Sequence, residues 1–577
     1  MFNTYYQQEL QNLRELAREF SKVHPAVAPM LSGTTSDPDV ERLLEGVAFL
    51  TGLMDQKLEN DFPEIIHGLM DIIFPHYLRP VPSTSIVMFF PKPSLKESIT
   101  VRKGTSLASI PVEGTQCIFR TCFETEVHPL SLLSADLVQM PEKPDSIRLV
   151  FELNGLSLSD WQPKRLGFFL GESYTQATEL YMLLTRFVKR IVLKPVSGGD
   201  ECEIPPECLV PTGLEMNNSL IPYPSHSFQG YRLIFEYFLL PQKFLFLELR
   251  GWGRWRSRGA GSRFEVWFEL KPSSFSTPSV KPGNFLFFVT PVVNLFTDDS
   301  DQFSLDHRLE KVRVRPPTKN REHYRVFSVD RVVGYEQGTV TPKRYSPLEL
   351  FSYEERDTSI YQVIHDRSPI DDTPEYYLSF TYPPEGPEPK PETLNLTLTY
   401  TNGTLPERLQ HSDISVQTSD SPGLLDFRNI IPPTPTIEPM LGKNMLWKLL
   451  SHMSLNFLSI ADAVNIKNLL NLYIFPGETN KAKTAANEKR INGIDDLKVT
   501  PSERLEKGMF IRGQKIEMTV RQDHFASLGD LYLFASVMDL FFGVYSSVNS
   551  FTQFELRDSI SGEIFLWPAR IGDRPLL

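Results

Sequence analysis

Apolar residues recur at helical spacing in one dense stretch near the start of the chain, from Asp37 to Ser83. Val40, Leu43, Leu44, Val47, Leu50, Met54 and Leu58 fall three and four residues apart, which predicts a helix with one apolar stripe. Asp37 suits the N-cap, and Pro38 suits the first helical position, where its missing N–H would be unpaired anyway. A second helix is predicted from about Asp61 and Pro63, and its Ile65, Ile66, Leu69, Met70, Ile72, Ile73 and Phe74 cover nearly every side. A helix apolar all round has to be buried all round, by the rest of the chain or by other subunits. Pro75 stops it, and Arg79-Pro80-Val81-Pro82 predicts an extended exit because residues before proline avoid the α region. The hairpin points to assembly.

Around it the pattern changes twice. Residues 3–22 predict an amphipathic helix with Tyr6, Leu10, Leu13, Ala17 and Phe20 on one face. After Ser83 the period shortens, and strands are predicted at 85–90, 118–121, 146–153, 166–170 and near 190–194, with one helix from Tyr174 to Thr185. A second β-rich region carries strands at 245–249, 264–270 and 285–289. The last is continuously hydrophobic and reads as a core strand. Three proline-rich acidic connectors punctuate 336–440, with an alternating strand at 394–400 between the last two. Helices return over 441–475, a polar loop or surface helix spans 477–501, and the chain closes with a strand at 510–520, a helix at 531–545 and two short strands. There is no internal repeat. The expected class is α+β and multidomain, with predominantly antiparallel β domains between an N-terminal helical hairpin region and C-terminal helices. Its boundaries are placed at 1–83, 84–214, 215–335, 336–440 and 441–577.

Composition narrows the function. At 577 residues the chain has room for three or four domains, at roughly 150 residues each, and 41% hydrophobic residues is enough to fill real cores. A net charge of −12 argues against general coating of nucleic acid, which needs a basic surface. The first twenty residues lack a basic region followed by an apolar one, so no secretory signal is expected. The most apolar window, Leu531 to Tyr545, carries Asp539 and is too short to span a bilayer, so it reads as a buried helix. Cys117, Cys122, Cys202 and Cys208 are too few for a disulfide framework and fit no common zinc spacing, so reduced thiols are expected.

Candidate chemistry is sparse. Asp298, Asp299 and Asp301 with His307 form the densest polar group and suggest a metal site or an acid–base pair. The glycine turn and closing Glu of a calcium loop are missing, and turn-capping aspartates explain the same residues. No nucleophile elbow, phosphate loop, dinucleotide fingerprint or zinc-protease helix is present. No catalytic residue, metal ligand or cofactor is therefore assigned. Trp252, Arg254, Trp255, Arg256 and Arg258 interleave aromatic and basic side chains in an acidic protein. That pattern fits an exposed hairpin tip, a protein contact or a stacking surface for single-stranded nucleic acid. Leu446, Trp447, Leu450, His452 and Phe457 lie on the predicted helix at 446–458 and are candidate interface residues, together with Leu43, Leu44, Val47, Leu50, Ile66, Leu69 and Ile73.

Several long blocks carry a family resemblance. They are DPDVERLLEGVAFL and FPEIIHGLMDIIFPHYLRPVPS, LIPYP with SFQGYRLIFEYFLLPQKFLFLEL at 220–249, and TPVVNLFTDDSD with LDH at 290–307. FSVDRVVG, LTYTNGTLPERL, LWKLLSHMSLNFLSI, VYSSVNSFTQFEL and WPARIGDRPLL follow in order. With them the chain resembles the TssF family, also called VasA or ImpG, of bacterial type VI secretion systems. The loop at 251–258 and the polar stretch at 477–500 fall outside these blocks.

The resemblance implies a non-enzymatic baseplate subunit related to wedge proteins of contractile phage tails. It implies assembly with TssG, TssK and TssE around the VgrG hub, with two TssF copies per TssG. It also implies docking on the TssJLM membrane complex and nucleation of the contractile sheath and the Hcp tube. The implied location is cytoplasmic, at the cytoplasmic face of the inner membrane once assembled. Neither a transmembrane segment nor a nucleic-acid partner is implied. Proline-rich connectors at 383–392 and 432–439 would let one sequence serve two environments. Two alternatives remain at this stage. One is a β-sandwich hydrolase using Asp298, Asp299, Asp301 and His307; the other is a nucleic-acid or surface-binding module using the Trp252–Arg258 loop.

Overall fold

Strands dominate from Thr84 onward, and nearly every pairing between them is antiparallel. The computed structural model describes residues 75–139, 144–223, 229–272, 277–300, 302–306, 308–316, 321–336, 342–348, 359–368, 373–381, 390–439, 462–474, 480–506, 508–544 and 550–572, with shorter runs at 39–40, 42–51, 67–68 and 70–71 and scattered positions elsewhere.

A six-stranded sheet runs in the order Ile414–Val416, Ser106–Val112, Thr115–Thr121, Val289–Val293, Thr84–Pro91, Leu425–Asn429. Three distant stretches of sequence thus share one sheet. Beside it lie a five-stranded sheet, centred on Arg263–Leu270 between Ser146–Leu153 and Val188–Pro195, and a four-stranded sheet that includes Leu166–Leu170 and Phe246–Leu249. Alternation decides which side chains point inward. In Arg263–Leu270, Phe264, Val266, Phe268 and Leu270 are buried while Glu265, Trp267 and Glu269 are only half-covered.

The expected core strand at 285–289 is two strands. Phe285–Phe287 pairs with Leu166–Leu170 in the four-stranded sheet, whereas Val289–Val293 pairs with Thr84–Pro91 in the six-stranded one. Phe288 makes the switch with φ 60, a left-handed conformation unusual for a bulky side chain. Its carbonyl still accepts from Phe89 N at 2.9 Å. All of 285–289 is buried or half-buried, as continuous hydrophobicity predicts, but the backbone reversal has no signature in that pattern.

Three helices fill the space between sheets. Tyr174–Arg186 is capped by Ser173, whose side chain accepts from Gln176 N. Gln229–Leu239 and Leu528–Val544 are buried on almost every side. The sequence reading missed Gln229–Leu239, because an apolar run inside a β-rich stretch has the same composition as a core strand. Its burial encloses an ion pair. Lys243 Nζ lies 2.7 Å from Glu236 Oε2, both side chains are fully inaccessible, and Leu220 N donates to Glu236 Oε1. A second buried charge, Asp530 on the central helix Leu528–Val544, accepts from Arg490 Nε and Nη2 at 3.0 Å and from Tyr174 OH at 2.8 Å.

Residues 296–401 form an eight-stranded sheet with a hydrophobic core of its own, including Val332, Leu378, Leu394, Leu396, Leu398 and Tyr400. The C-terminal sheet begins with the hairpin Ile494–Glu506 and Met509–Val520, which then pairs in parallel with Ser550–Asp558. The polar stretch at 477–501 therefore resolves into a helix, Lys481–Asn492, capped by Asn480, and the start of an edge strand that tolerates Pro501.

Candidate assembly site at the helical junction

The stretches that flank two expected helical segments meet at the same place. Pro75–Tyr77 forms a single 3-10 turn in which His76 and Tyr77 are buried. The His76 ring stacks on Tyr473 at 5.9 Å, Tyr223 OH meets His76 Nδ1 at 3.1 Å, and Tyr77 OH donates to the Leu472 carbonyl at 3.3 Å. Residues 472–473 end the helix Ala463–Asn471. A few residues on, Val81 forms an antiparallel bridge with Ile437, N–H to carbonyl in both directions at 2.8 and 3.1 Å. Chain entering residues 438–471 and chain leaving them both rest on residues 76–81.

Proline placement produces this geometry. Pro80 and Pro82 keep Arg79–Ser83 extended, so the Val81 amide is free to pair sideways. Opposite it, Ile430-Ile431-Pro432-Pro433-Thr434-Pro435-Thr436-Ile437 keeps few N–H groups. Four of them donate: Ile430 to Ile86 O, Thr434 to Thr84 O, Thr436 to Glu407 Oε1 and Ile437 to Val81 O. The segment at 432–439, expected as a free connector, is thus fastened along the edge of the six-stranded sheet. The connector at 383–392 lies mostly outside the described residues.

Upstream of the junction, residues 42–51 are helical. Ala48 is buried, but Leu43 is 68% exposed, Val47 40% and Leu50 59%, and Leu44 is half-buried. Leu16 and Phe49 are exposed as well. This chain leaves the stripe largely uncovered. Met70, a few residues before the junction, is fully buried. Ile66, Leu69 and Ile73 lie outside the described residues, as do Leu446, Trp447, Leu450, His452 and Phe457.

Comparison with known proteins decides the family. The model of the family described as "Type VI secretion system, TssF" matches residues 1–574. The chain belongs to the TssF family. It is 28% identical, over 99% of both chains, to the type VI secretion system component TssF1 of Pseudomonas aeruginosa (strain PAO1). It is also similar to a chain of a TssK–TssF–TssG baseplate subcomplex solved by cryo-electron microscopy, at 25% identity and a TM-score of 0.77, covering 93% of this chain and 99% of that one. A chain of a type VI secretion baseplate complex shares the fold at 23% identity and a TM-score of 0.62, with both chains covered in full.

In this TssF-family chain the tryptophan–arginine loop is not a contact surface for its aromatic rings. Trp252 is fully buried, 5.1 Å from Trp161 and 6.0 Å from Phe264, and Trp255 is 2% exposed. Each indole N–H is used internally, Trp252 Nε1 on Leu249 O and Trp255 Nε1 on Asp200 O, both at 2.8 Å. Arg258 is buried too. Its guanidinium donates to the carbonyls of Trp255, Trp252 and Trp161, and burial holds its pKa below the ordinary arginine value. Only Arg254 and Arg256 reach solvent. Arginine supplies five donors in a rigid fork, which suits a cage of carbonyls as well as it suits phosphate. Composition alone does not separate the two uses.

Two of the four polar candidates are described. Asp298 and Asp299 stand exposed on the strand Phe296–Asp299, where Asp299 accepts from Thr397 Oγ1 at 2.9 Å and Asp298 from the Asp299 amide. Asp301 and His307 lie outside the described residues. Among the described residues no group of three His, Cys, Asp or Glu side chains is placed to hold a metal ion, and no helix is long and apolar enough to cross a membrane. All four cysteines are free. Burial pushes the thiols of Cys117 and Cys122 up to about 11 and about 12, so both stay protonated.

Proposed function

We propose that the protein is a structural, non-catalytic subunit of the type VI secretion baseplate, and that its helical junction is the surface on which it assembles. One observation carries the reading. The Val81–Ile437 bridge and the Tyr77–Leu472 hydrogen bond hold residues 77–81 against both ends of the 438–471 segment, and earlier in the chain the helix at 42–51 leaves Leu43, Val47 and Leu50 exposed. An exposed apolar helical stripe suits a helical partner, which would complete a bundle by covering it.

TssG is the partner this arrangement favours, with TssK in the same subcomplex, as in the TssK–TssF–TssG assembly of the similar structure. A second TssF copy, TssE, the VgrG hub, the TssJLM complex at the cytoplasmic face of the inner membrane, the sheath and the Hcp tube complete the proposed surroundings. The subunit works mechanically in this reading, transmitting rearrangement through its interfaces.

Co-expression with TssG tests it. Leu43→Asp with Leu50→Asp, both at exposed positions, should abolish co-purification while the β-sheet circular dichroism stays unchanged. Recovery of the intact complex from that variant would show that the stripe is not the TssG surface.

A further inference from the structure

The eight-stranded sheet of residues 296–401 joins the body at a neck of two strands, where Asn294 and Asn402 are hydrogen-bonded to each other and where His323 and Arg325 reach Thr115 and Glu438. It meets the rest of the chain again at His67–Asp71. There Gly68 lies against Gln362, so that a Cβ would sit 3.4 Å from its side-chain nitrogen, and the His67 ring stands edge-on to His365 at 6.3 Å. His365 in turn packs on Tyr376 at 5.1 Å.

This second contact is polar and incompletely satisfied. His365 is 6% exposed, yet among the described residues neither ring nitrogen has a hydrogen-bond partner, and the same holds for Asp71 Oδ1 and Tyr376 OH. Arg79 approaches Asp71 only to 3.8 Å, beyond hydrogen-bond range, while its guanidinium lies over the Phe327 ring. Buried polar atoms without partners oppose burial, since water would satisfy each of them. Undocking would hydrate all four and withdraw Phe327 from the body core, while the sheet's own core, with Val332, Leu378 and Leu396, stays closed. The neck then serves as the pivot.

We propose that this contact is a releasable latch: the eight-stranded sheet docks on the N-terminal segment through His365 and swings about the Asn294–Asn402 neck when His365 gains a proton. The inference goes beyond the assembly reading and does not depend on it. The groups facing His365 are His67, Asp71 and Arg79 from the N-terminal segment and Tyr376 from the adjacent strand, with Asp366 acting on His67. Burial is the largest influence and lowers His365 to about 4; Asp71 opposes it, while His67 and Arg79 add to it. Burial lowers His67 as well.

The sign follows. An open His365 takes its proton near the ordinary 6.5 and a docked one near 4, so the docked state is fully favoured above 6.5 and loses ground as pH falls toward 4. Between pH 7.5 and 5.5 the open-to-docked ratio should rise on the order of tenfold.

Hydrogen exchange of the full-length protein tests this, with rates corrected for the intrinsic pH dependence of exchange. At pH 5.5 relative to 7.5, peptides covering His67–Asp71, Ile360–Arg367 and Pro374–Thr381 should lose protection by about tenfold, while Arg263–Leu270 is unchanged. His365→Gln, which cannot take the proton, should remove the response. Unchanged protection in the wild type, a uniform loss across the chain, or an equal response in the Gln variant would each overturn the proposal. Should the variant lose protection in Arg263–Leu270, its fold is lost, and the regional or uniform character of the wild-type change decides alone.

Discussion

Asn402 N–H donates to Asn294 Oδ1 at 2.7 Å while Asn294 Nδ2 donates to Asn402 Oδ1 at 2.8 Å, and both side chains are fully buried. The same two groups also pin the body, since Ile118 N donates to Asn402 Oδ1 and Asn294 Nδ2 donates to Ile118 O. Asn294→Asp replaces a two-proton donor with an acceptor facing two acceptors. The variant should lose about 3 kcal/mol, from orphaned carbonyls at roughly 1–3 kcal/mol each. Urea unfolding followed by circular dichroism measures it, and a midpoint equal to wild type would mean that the neck is held elsewhere.

The buried loop at 251–258 gives an internal contrast. Arg258→Ala leaves two carbonyls, those of Trp161 and Trp255, without a donor and takes one of two from Trp252 O, and should cost about 3 kcal/mol. Arg254→Glu with Arg256→Glu changes only exposed side chains and should stay within about 0.5 kcal/mol of wild type. Thermal melts of the two variants separate a structural arginine from two surface ones. Equal destabilisation would contradict the burial pattern.

How much of this was legible in the sequence depends on the range over which each feature is decided. Ser146–Leu153 and Tyr174–Arg186 follow from local period, and the structure gives them nearly residue for residue. The amphipathic stripe at Leu43, Val47 and Leu50 was equally plain, because an uncovered face leaves its hydrophobic period intact. Phe288 and the Trp252 loop were not. A left-handed phenylalanine and an arginine turned inward onto carbonyls are settled by tertiary packing, and the residue types involved serve other purposes equally well. The junction lay furthest out of reach. No local rule places Ile437 beside Val81, since more than 350 residues separate them.

Asp539 sets a pH dependence in the C-terminal region. It lies on the central helix, 2.6 Å from Arg570 Nε, with a side chain 2% exposed. Burial pushes its carboxyl up to about 6 from the ordinary 3.8, with Arg570 pulling the other way. The folded state therefore holds this proton over a range where the unfolded chain has released it. Stability from this group is present below 3.8 and is lost as pH rises through about 6, by roughly 3 kcal/mol at 1.36 kcal/mol per pH unit. Asp539→Asn accepts from Arg570 without titrating, so the wild type should lose stability relative to it between pH 4 and 6.5. Urea midpoints of both proteins across that interval report the difference, and parallel curves would place the titration elsewhere.

Gly529 marks the tightest crossing in the core. There the first turn of the central helix Leu528–Val544 meets the helix Tyr174–Arg186, and a Cβ on residue 529 would lie 2.3 Å from the Thr178 carbonyl carbon and 2.4 Å from Glu179 N. Both neighbours are backbone, so no side chain can turn aside. The Tyr174–Asp530 hydrogen bond ties the same two helices one residue further on, so separating them to admit a methyl group also stretches that 2.8 Å contact. Gly529→Ala should therefore cost more than the roughly 1–3 kcal/mol usual for overpacking, despite alanine's better helix propensity of about 1 kcal/mol. Ser536→Ala, on the same helix and buried without a comparable backbone contact, is the control and should cost about 1 kcal/mol. Differential scanning calorimetry of the pair decides the matter. A Gly529→Ala melting temperature at or above that of Ser536→Ala would mean that the crossing has slack, and that propensity outweighs contact there.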